Sequence, residues 1–209
     1  MPIKSTADLT SLRAQIGALE AGVAKVSRIR VASGWSCLDE VTGGLPRPGL
    51  VEVWGPIGSG RTRVAVRFAL QVRAPQQQVA WVDSEHTLYP PSISGDGQDP
   101  IDWAVVRTRL GAHEQVARVV ERMLRAGCFP LVVVDVPARM RLKSVGYRWS
   151  RAAEQGGSTG VLLTERPGRG LPVDVRLQVG DGVVSVVKDR ARPSVVGCHL
   201  SIPEEWGSR

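Results

Sequence analysis

Six residues within VEVWGPIGSGRT, residues 51–62, have the types and spacing to hold a phosphate: Gly55, Gly58, Ser59, Gly60, Arg61 and Thr62. An apolar run, Val51 to Trp54, reads as a buried strand, and Arg61 to Ala69 has apolar positions at helical spacing. A glycine loop between a strand and a helix aims backbone N–H groups and the positive helix end at one point, which suits an anion. The position normally filled by lysine holds Arg61. Guanidinium is planar and bulkier than ammonium, so weakened nucleotide binding and lost or very slow hydrolysis are expected. The same glycines would also serve as a plain tight connection from strand to helix.

Three carboxylates stand just beyond other apolar runs. Glu85 follows Val79 to Val82, Asp135 ends Leu131 to Val134, and Glu165 follows Gly160 to Thr164. Open α/β sheets bind ligands at the carboxyl ends of their strands, where such residues converge. Asp83 with Glu85 could equally be an ordinary solvated loop pair. The sequence shows no Ser-His-Asp or Cys-His nucleophile, and His86, His113 and His199 carry no assigned chemistry.

The elements that must position these residues alternate along the chain. Strand candidates are Arg28 to Val31, Val51 to Trp54, Val79 to Val82, Ala104 to Arg107, Leu131 to Asp135 and Gly160 to Thr164. A helix over His113 to Ala126, stopped by Gly127, leads into the fifth of these. Such alternation argues for a mostly parallel sheet covered on both faces. Val173 to Val179, Gly180-Asp181-Gly182 and Val183 to Val187 give a hairpin signal, and His199 to Ile202 an edge strand. Gly43 to Gly49 reads as turn chemistry, and residues 90–100 as an exposed loop.

Composition bounds the function. The 209 residues carry 27 Lys and Arg against 20 Asp and Glu, a net charge of +7, with 43% hydrophobic and 22% charged residues. That is one ordinary globular domain with a leaning toward acidic partners, either nucleic acid or an acidic protein face. Cys37, Cys128 and Cys198 have no paired spacing for zinc and fit a reducing, cytoplasmic setting. No leader and no stretch of about 20 apolar residues is present, so neither export nor membrane spanning is expected.

Read outward from the glycine loop, the chain resembles the ATPase core of the RecA family. Ser33-Gly34-Trp35-Ser36-Cys37-Leu38-Asp39 with Gly43-Gly44-Leu45-Pro46 is similar to the family's segment before the P-loop. Val82 to Pro90 resembles the segment of the catalytic glutamate, at Glu85, and Leu131 to Asp135 the Walker B strand. Val186-Val187-Lys188-Asp189-Arg190 resembles the strand whose basic pair, here Lys188 and Arg190, reaches a neighbouring subunit's nucleotide. The matches occur in family order over roughly residues 30 to 200. They imply an α/β RecA-like P-loop fold: a mostly parallel sheet, helices on both faces and a C-terminal antiparallel hairpin. By the same resemblance Thr62 would bind magnesium, Asp135 would hold its water shell and Glu85 would orient the attacking water.

The departures are specific. Besides Arg61, Glu165 stands where the family has a glutamine that senses phosphate, and a carboxylate there should repel a γ-phosphate. The first DNA loop is missing after Asp135, the second is cut short after Glu165, and no C-terminal domain is expected. A reduced core of this kind is similar to the ImuA group of bacterial mutagenesis cassettes, some of whose relatives carry a SulA-like label. That likeness implies a non-catalytic accessory role in SOS translesion mutagenesis. The implied partners are RecA, an ImuB-like protein and an error-prone polymerase, with single-stranded DNA as a further one and no membrane. The opposing readings are an ATP-dependent RecA-like ATPase and a simple single-stranded DNA-binding module. No cofactor or metal is expected, with ATP and magnesium at most weakly held. Arg61 could pair with Glu165, Glu85 or Asp135 across the site, giving a plugged structural pocket.

Three further expectations concern surfaces and boundaries. Residues 1–27 read as an N-terminal helix, a docking arm whose stripe Leu12, Ile16, Leu19 and Val23 meets a partner or folds back on its own sheet. Residues 28–202 form the core, and 203–209 a loose tail in which Trp206 could anchor on a partner. Arg139, Arg141, Lys143, Arg148 and Arg151, interleaved with Tyr147 and Trp149, read either as a single-strand binding surface with aromatic stacking or as a solvated amphipathic helix with Trp149 partly buried.

Overall fold

A computed structural model describes residues 28–71, 78–89, 103–203 and 206. The expected N-terminal helix with Leu12, Ile16, Leu19 and Val23, and the loop at 90–100, lie outside the described residues. In chain order the elements are β1 (Ile29–Val31), α1 (Ser36–Thr42), β2 (Leu45–Arg47), β3 (Gly49–Trp54), α2 (Arg61–Leu70), β4 (Val79–Asp83) and β5 (Trp103–Arg107). They continue with α3 (His113–Arg125), β6 (Leu131–Asp135), α4 (Leu142–Gly156), β7 (Thr159–Thr164), β8 (Val175–Gly180), β9 (Val183–Asp189), a 3-10 turn (Pro193–Val195) and β10 (His199–Ser201).

Eight strands form one sheet in the order β10-β9-β8-β3-β7-β6-β4-β5, and β1 pairs with β2 in a small antiparallel ribbon. From β8 to β5 all pairings are parallel, whereas β8–β9 and β9–β10 are antiparallel. This is the expected architecture. The parallel strands are apolar on both faces because helices cover both. Alternate residues separate cleanly: Val51, Val53, Trp81, Val133 and Val161 join one cluster with Val64 and Phe68 of α2. Leu50, Ala80, Val82, Val132 and Leu162 join the other with Val120 of α3 and Trp149 of α4.

The Asp-Gly turn forms as expected, Asp181 and Gly182 both taking positive φ, 50° and 72°. Gly43 to Gly49 is more than a turn. Leu45–Arg47 pairs antiparallel with Ile29–Val31, so the segment before the P-loop strand is itself held in a ribbon. Trp149 corrects a second expectation. It is wholly buried, and its indole N–H donates to the Ala117 carbonyl at 3.0 Å, fastening α4 to α3.

Trp206 corrects a third. It packs on its own chain, its ring 5.1 Å from that of Trp35 at 67°, with the Arg67 guanidinium 5.6 Å from its centroid.

Candidate nucleotide site

The glycine loop joins the end of β3 to the start of α2, as its sequence requires. Gly58 and Gly60 adopt φ of 83° and 94°, a region that side chains with a Cβ avoid. Gly55 is demanded by space instead: a Cβ there would lie 2.3 Å from the Val179 carbonyl oxygen. Its N–H donates to the Thr164 carbonyl at 3.1 Å, tying the loop's first residue to the end of β7. Thr62 is exposed in the first turn of α2, and the buried Ser59 hydroxyl has no partner among the described residues.

Arg61 does not bridge to a carboxylate. Its Nη1 donates to the Gly55 carbonyl at 2.5 Å, folding the guanidinium back against the loop it belongs to. The expected ion pair with Glu165, Glu85 or Asp135 therefore does not form, although the positive charge is near enough to Asp135 to favour its ionised form. Glu165 sits half-buried just past β7, and Glu85 is exposed just past β4.

Asp135 ends β6 beside Asp83 at the end of β4, the two being register partners. Burial pushes the Asp135 carboxyl above the usual range; the Thr87 hydroxyl and Arg61 oppose that, while Asp83 and Glu85 reinforce it. Thr87 donates to Asp135 Oδ2 at 2.9 Å, and the Ser84 hydroxyl donates to the Asp135 carbonyl. Neither residue was signalled by the sequence, since each acts only through the loop that follows β4. Asp83 is not a solvated loop residue: it is fully buried, accepts from the Thr87 and Leu88 amides, and pairs with Arg107 at 3.1 Å.

A second carboxylate system lies behind the loop. Glu52, wholly buried in β3, accepts from the Thr164 hydroxyl at 2.9 Å, the Gly168 amide at 2.6 Å and the Arg176 guanidinium. Arg176 also donates to the Gly168 carbonyl at 2.9 Å. Together they pin the connection between β7 and β8 onto the sheet. The loop is thus held at Gly168 by Glu52 of β3 itself and Arg176 of the neighbouring β8.

The remaining nominated cations divide. Arg148 pairs with Glu121, which also takes Arg125 at 2.6 Å, so it is committed to the α3–α4 contact. Burial would raise the Glu121 carboxyl, but Arg148 and Arg125 outweigh it and hold it below the usual range. Arg139, Arg141, Lys143 and Arg151 are exposed and make no salt bridge with any described residue. The stacking partner expected of Trp149 is gone into the core, leaving Tyr147, 64% exposed. Arg166 and Arg169 add to this rim, because the loop carrying them packs Gly168 and Gly170 against Leu142 and Lys143.

Lys188 and Arg190 lie near the end of β9 that faces the start of β8, at the opposite end of the strands from the glycine loop. Lys188 donates to the Val173 carbonyl at 2.6 Å, and burial, with Arg176 and Arg190 nearby, pulls its ammonium below the usual lysine range. Arg190 is exposed, 4.0 Å from Asp174.

A glycine loop between strand and helix, a carboxylate ending a neighbouring parallel strand and helices on both faces define a P-loop α/β core. The family model for the RecA N-terminal domain matches residues 14–144. The chain belongs to that family. Among curated relatives, Protein RecA of Mycobacterium ulcerans is 34% identical over 98 residues, 47% of this chain and 28% of the relative. Protein RecA of Streptomyces avermitilis is 34% identical over 112 residues, 53% and 29%, and that of Ruminococcus albus 33% over 102 residues, 49% and 25%. The matched stretch thus spans less than a third of each of these relatives. Among the described residues no helix is long and apolar enough to cross a membrane, and no group of His, Cys, Asp and Glu is placed to hold a metal.

Proposed function

We propose that this chain is a non-catalytic, cytoplasmic RecA-like accessory protein of SOS translesion mutagenesis, of the ImuA kind. It binds RecA, the error-prone polymerase complex with its ImuB-like subunit, or both, and modulates RecA. The observation that carries this reading is the fate of Arg61. At the lysine position of the P-loop, its guanidinium is folded onto the Gly55 carbonyl, and a side chain so engaged is not extended toward a terminal phosphate. The closed loop between β7 and β8 supports it, since Glu52 and Arg176 hold that loop on the sheet. A body of this kind keeps a RecA-like docking shape without a working phosphate site.

A pull-down with RecA, combined with a strand-exchange assay, tests the proposal. Association together with altered exchange is expected; no association and unchanged exchange would sink it. A second reading, an ATP-dependent RecA-like ATPase, is favoured by Thr62, Glu85 and Asp135 standing at the matching positions. Micromolar ATP binding with turnover abolished by Glu85→Gln would establish it over the first. Single-stranded DNA binding is favoured by the exposed rim of Arg139, Arg141, Lys143, Arg151, Arg166 and Arg169, which make no salt bridge with any described residue. Such binding would weaken steeply with salt, by a log–log slope of roughly −0.7 per phosphate neutralised.

A further inference from the structure

Ile202 and Trp206 pack against the core cluster that includes the helix after the phosphate loop. After β10, the Ile202 amide donates to the Gly182 carbonyl at 2.7 Å, which fixes the chain's exit from the sheet edge. The Ile202 Cδ1 then faces the side of Gly60 on which a side chain would stand: a Cβ built on that glycine would meet it at 3.8 Å. Gly60 is the last residue of the glycine loop and the N-cap of α2. Beyond Pro203, whose carbonyl accepts from the Trp206 amide at 3.1 Å, the Trp206 ring meets Trp35 edge-on and lies under Arg67 of α2. Arg67 in turn donates through Nε to the Gly34 carbonyl at 2.7 Å. One arginine on the loop's own helix therefore joins Gly34, in the segment before the P-loop, to Trp206. Val195, Cys198, Leu200, Ile202 and Trp206 all pack against the same core cluster as α2.

We propose that Ile202 and Trp206 form a strap whose seating on Trp35 and Arg67, with Ile202 beside Gly60, sets the mobility of the phosphate loop. Gly60 has no side chain and a positive φ, and Ile202 is the described neighbour that stands within 4 Å of where its Cβ would be. Unseating the strap frees the loop, and by linkage anything that reshapes the loop alters the seating of the strap. The device does not depend on whether the loop holds nucleotide.

Hydrogen exchange on the full chain reads it directly. Trp206→Ala and Arg67→Gln are each expected to speed exchange of the amides at 58–62 by roughly tenfold, the scale of a lost partly buried cation–π contact with its packing. Amides of β6 should change less than twofold, and Trp206→Phe should restore the slow rate. Faster exchange at 199–202 with no change at 58–62 would overturn the proposal. If Trp206→Ala loosens β6 as well, Arg67→Gln decides alone, since it leaves the indole in place: an unchanged loop in that variant would equally overturn it.

Discussion

Two carboxylates two strands apart show opposite uses of charge in one sheet. Glu52, in mid-strand, has both oxygens committed to a hydroxyl, an amide and a guanidinium from elements more than 100 residues away in sequence. Asp135, at the strand's end, has one hydroxyl on its carboxylate and is pushed toward its neutral form by burial. A buried charge with its hydrogen-bonding capacity filled locks an architecture, whereas one left thinly partnered costs stability and is kept by something other than folding. The difference separates what holds this RecA-like core together from what stands at the strand ends beside the glycine loop.

The comparison breaks first at Glu52. Replacing it with alanine leaves Arg176 without its carboxylate and frees the loop after β7, so urea unfolding should show a loss of about 3 kcal/mol, the scale of a broken buried pair. A loss below about 1 kcal/mol would mean that the staple is dispensable. Gly168→Val comes next, because a Cβ there would stand 3.1 Å from Glu52 Oε1 and 3.2 Å from Leu142 Cδ1. Crowding on that scale costs about 1–2 kcal/mol, read in the same unfolding assay.

Asp135→Asn should act in the other direction. A carboxyl raised in the folded state binds its proton more tightly there than in the unfolded chain, so stability falls as pH rises from the ordinary aspartate range through the raised value. Above that window the charge is a standing cost. The amide variant should therefore melt slightly higher than the parent at pH 7, and the gain should vanish below the ordinary aspartate pKa. A lower melting point at pH 7 would show that Asp135 is paired structurally after all. Smallest is Arg61→Ala, whose one hydrogen bond reaches a carbonyl of its own loop; thermal stability should stay within about 0.5 kcal/mol.

How far the sequence foretold this molecule follows from the range of each interaction. Apolar runs, helical periodicity and the Asp-Gly turn are local, so the eight strands of the main sheet, helices α2 and α3 and the hairpin were legible. Leu45–Arg47 was hidden because glycines and prolines on either side read as turn chemistry, and the strand exists only through its pairing with Ile29–Val31. Trp149 was placed partly outside because its neighbours Arg148 and Arg151 are charged, yet the helix turns its ring onto Ala117. The Glu52 staple needs the parallel register of β3 with β8, which no local pattern reveals. At the site, the residue types at 55–62, 85, 135 and 165 were readable, but the direction of the Arg61 side chain was not, and neither were Thr87 and Ser84 as supports of Asp135.

The central claim, that this core no longer works as an engine, is tested most directly by ATP turnover with magnesium in the unmodified chain and its Glu85→Gln variant. The account predicts equal rates at background for both. Hydrolysis well above background in the parent, and its loss in the variant, would contradict it.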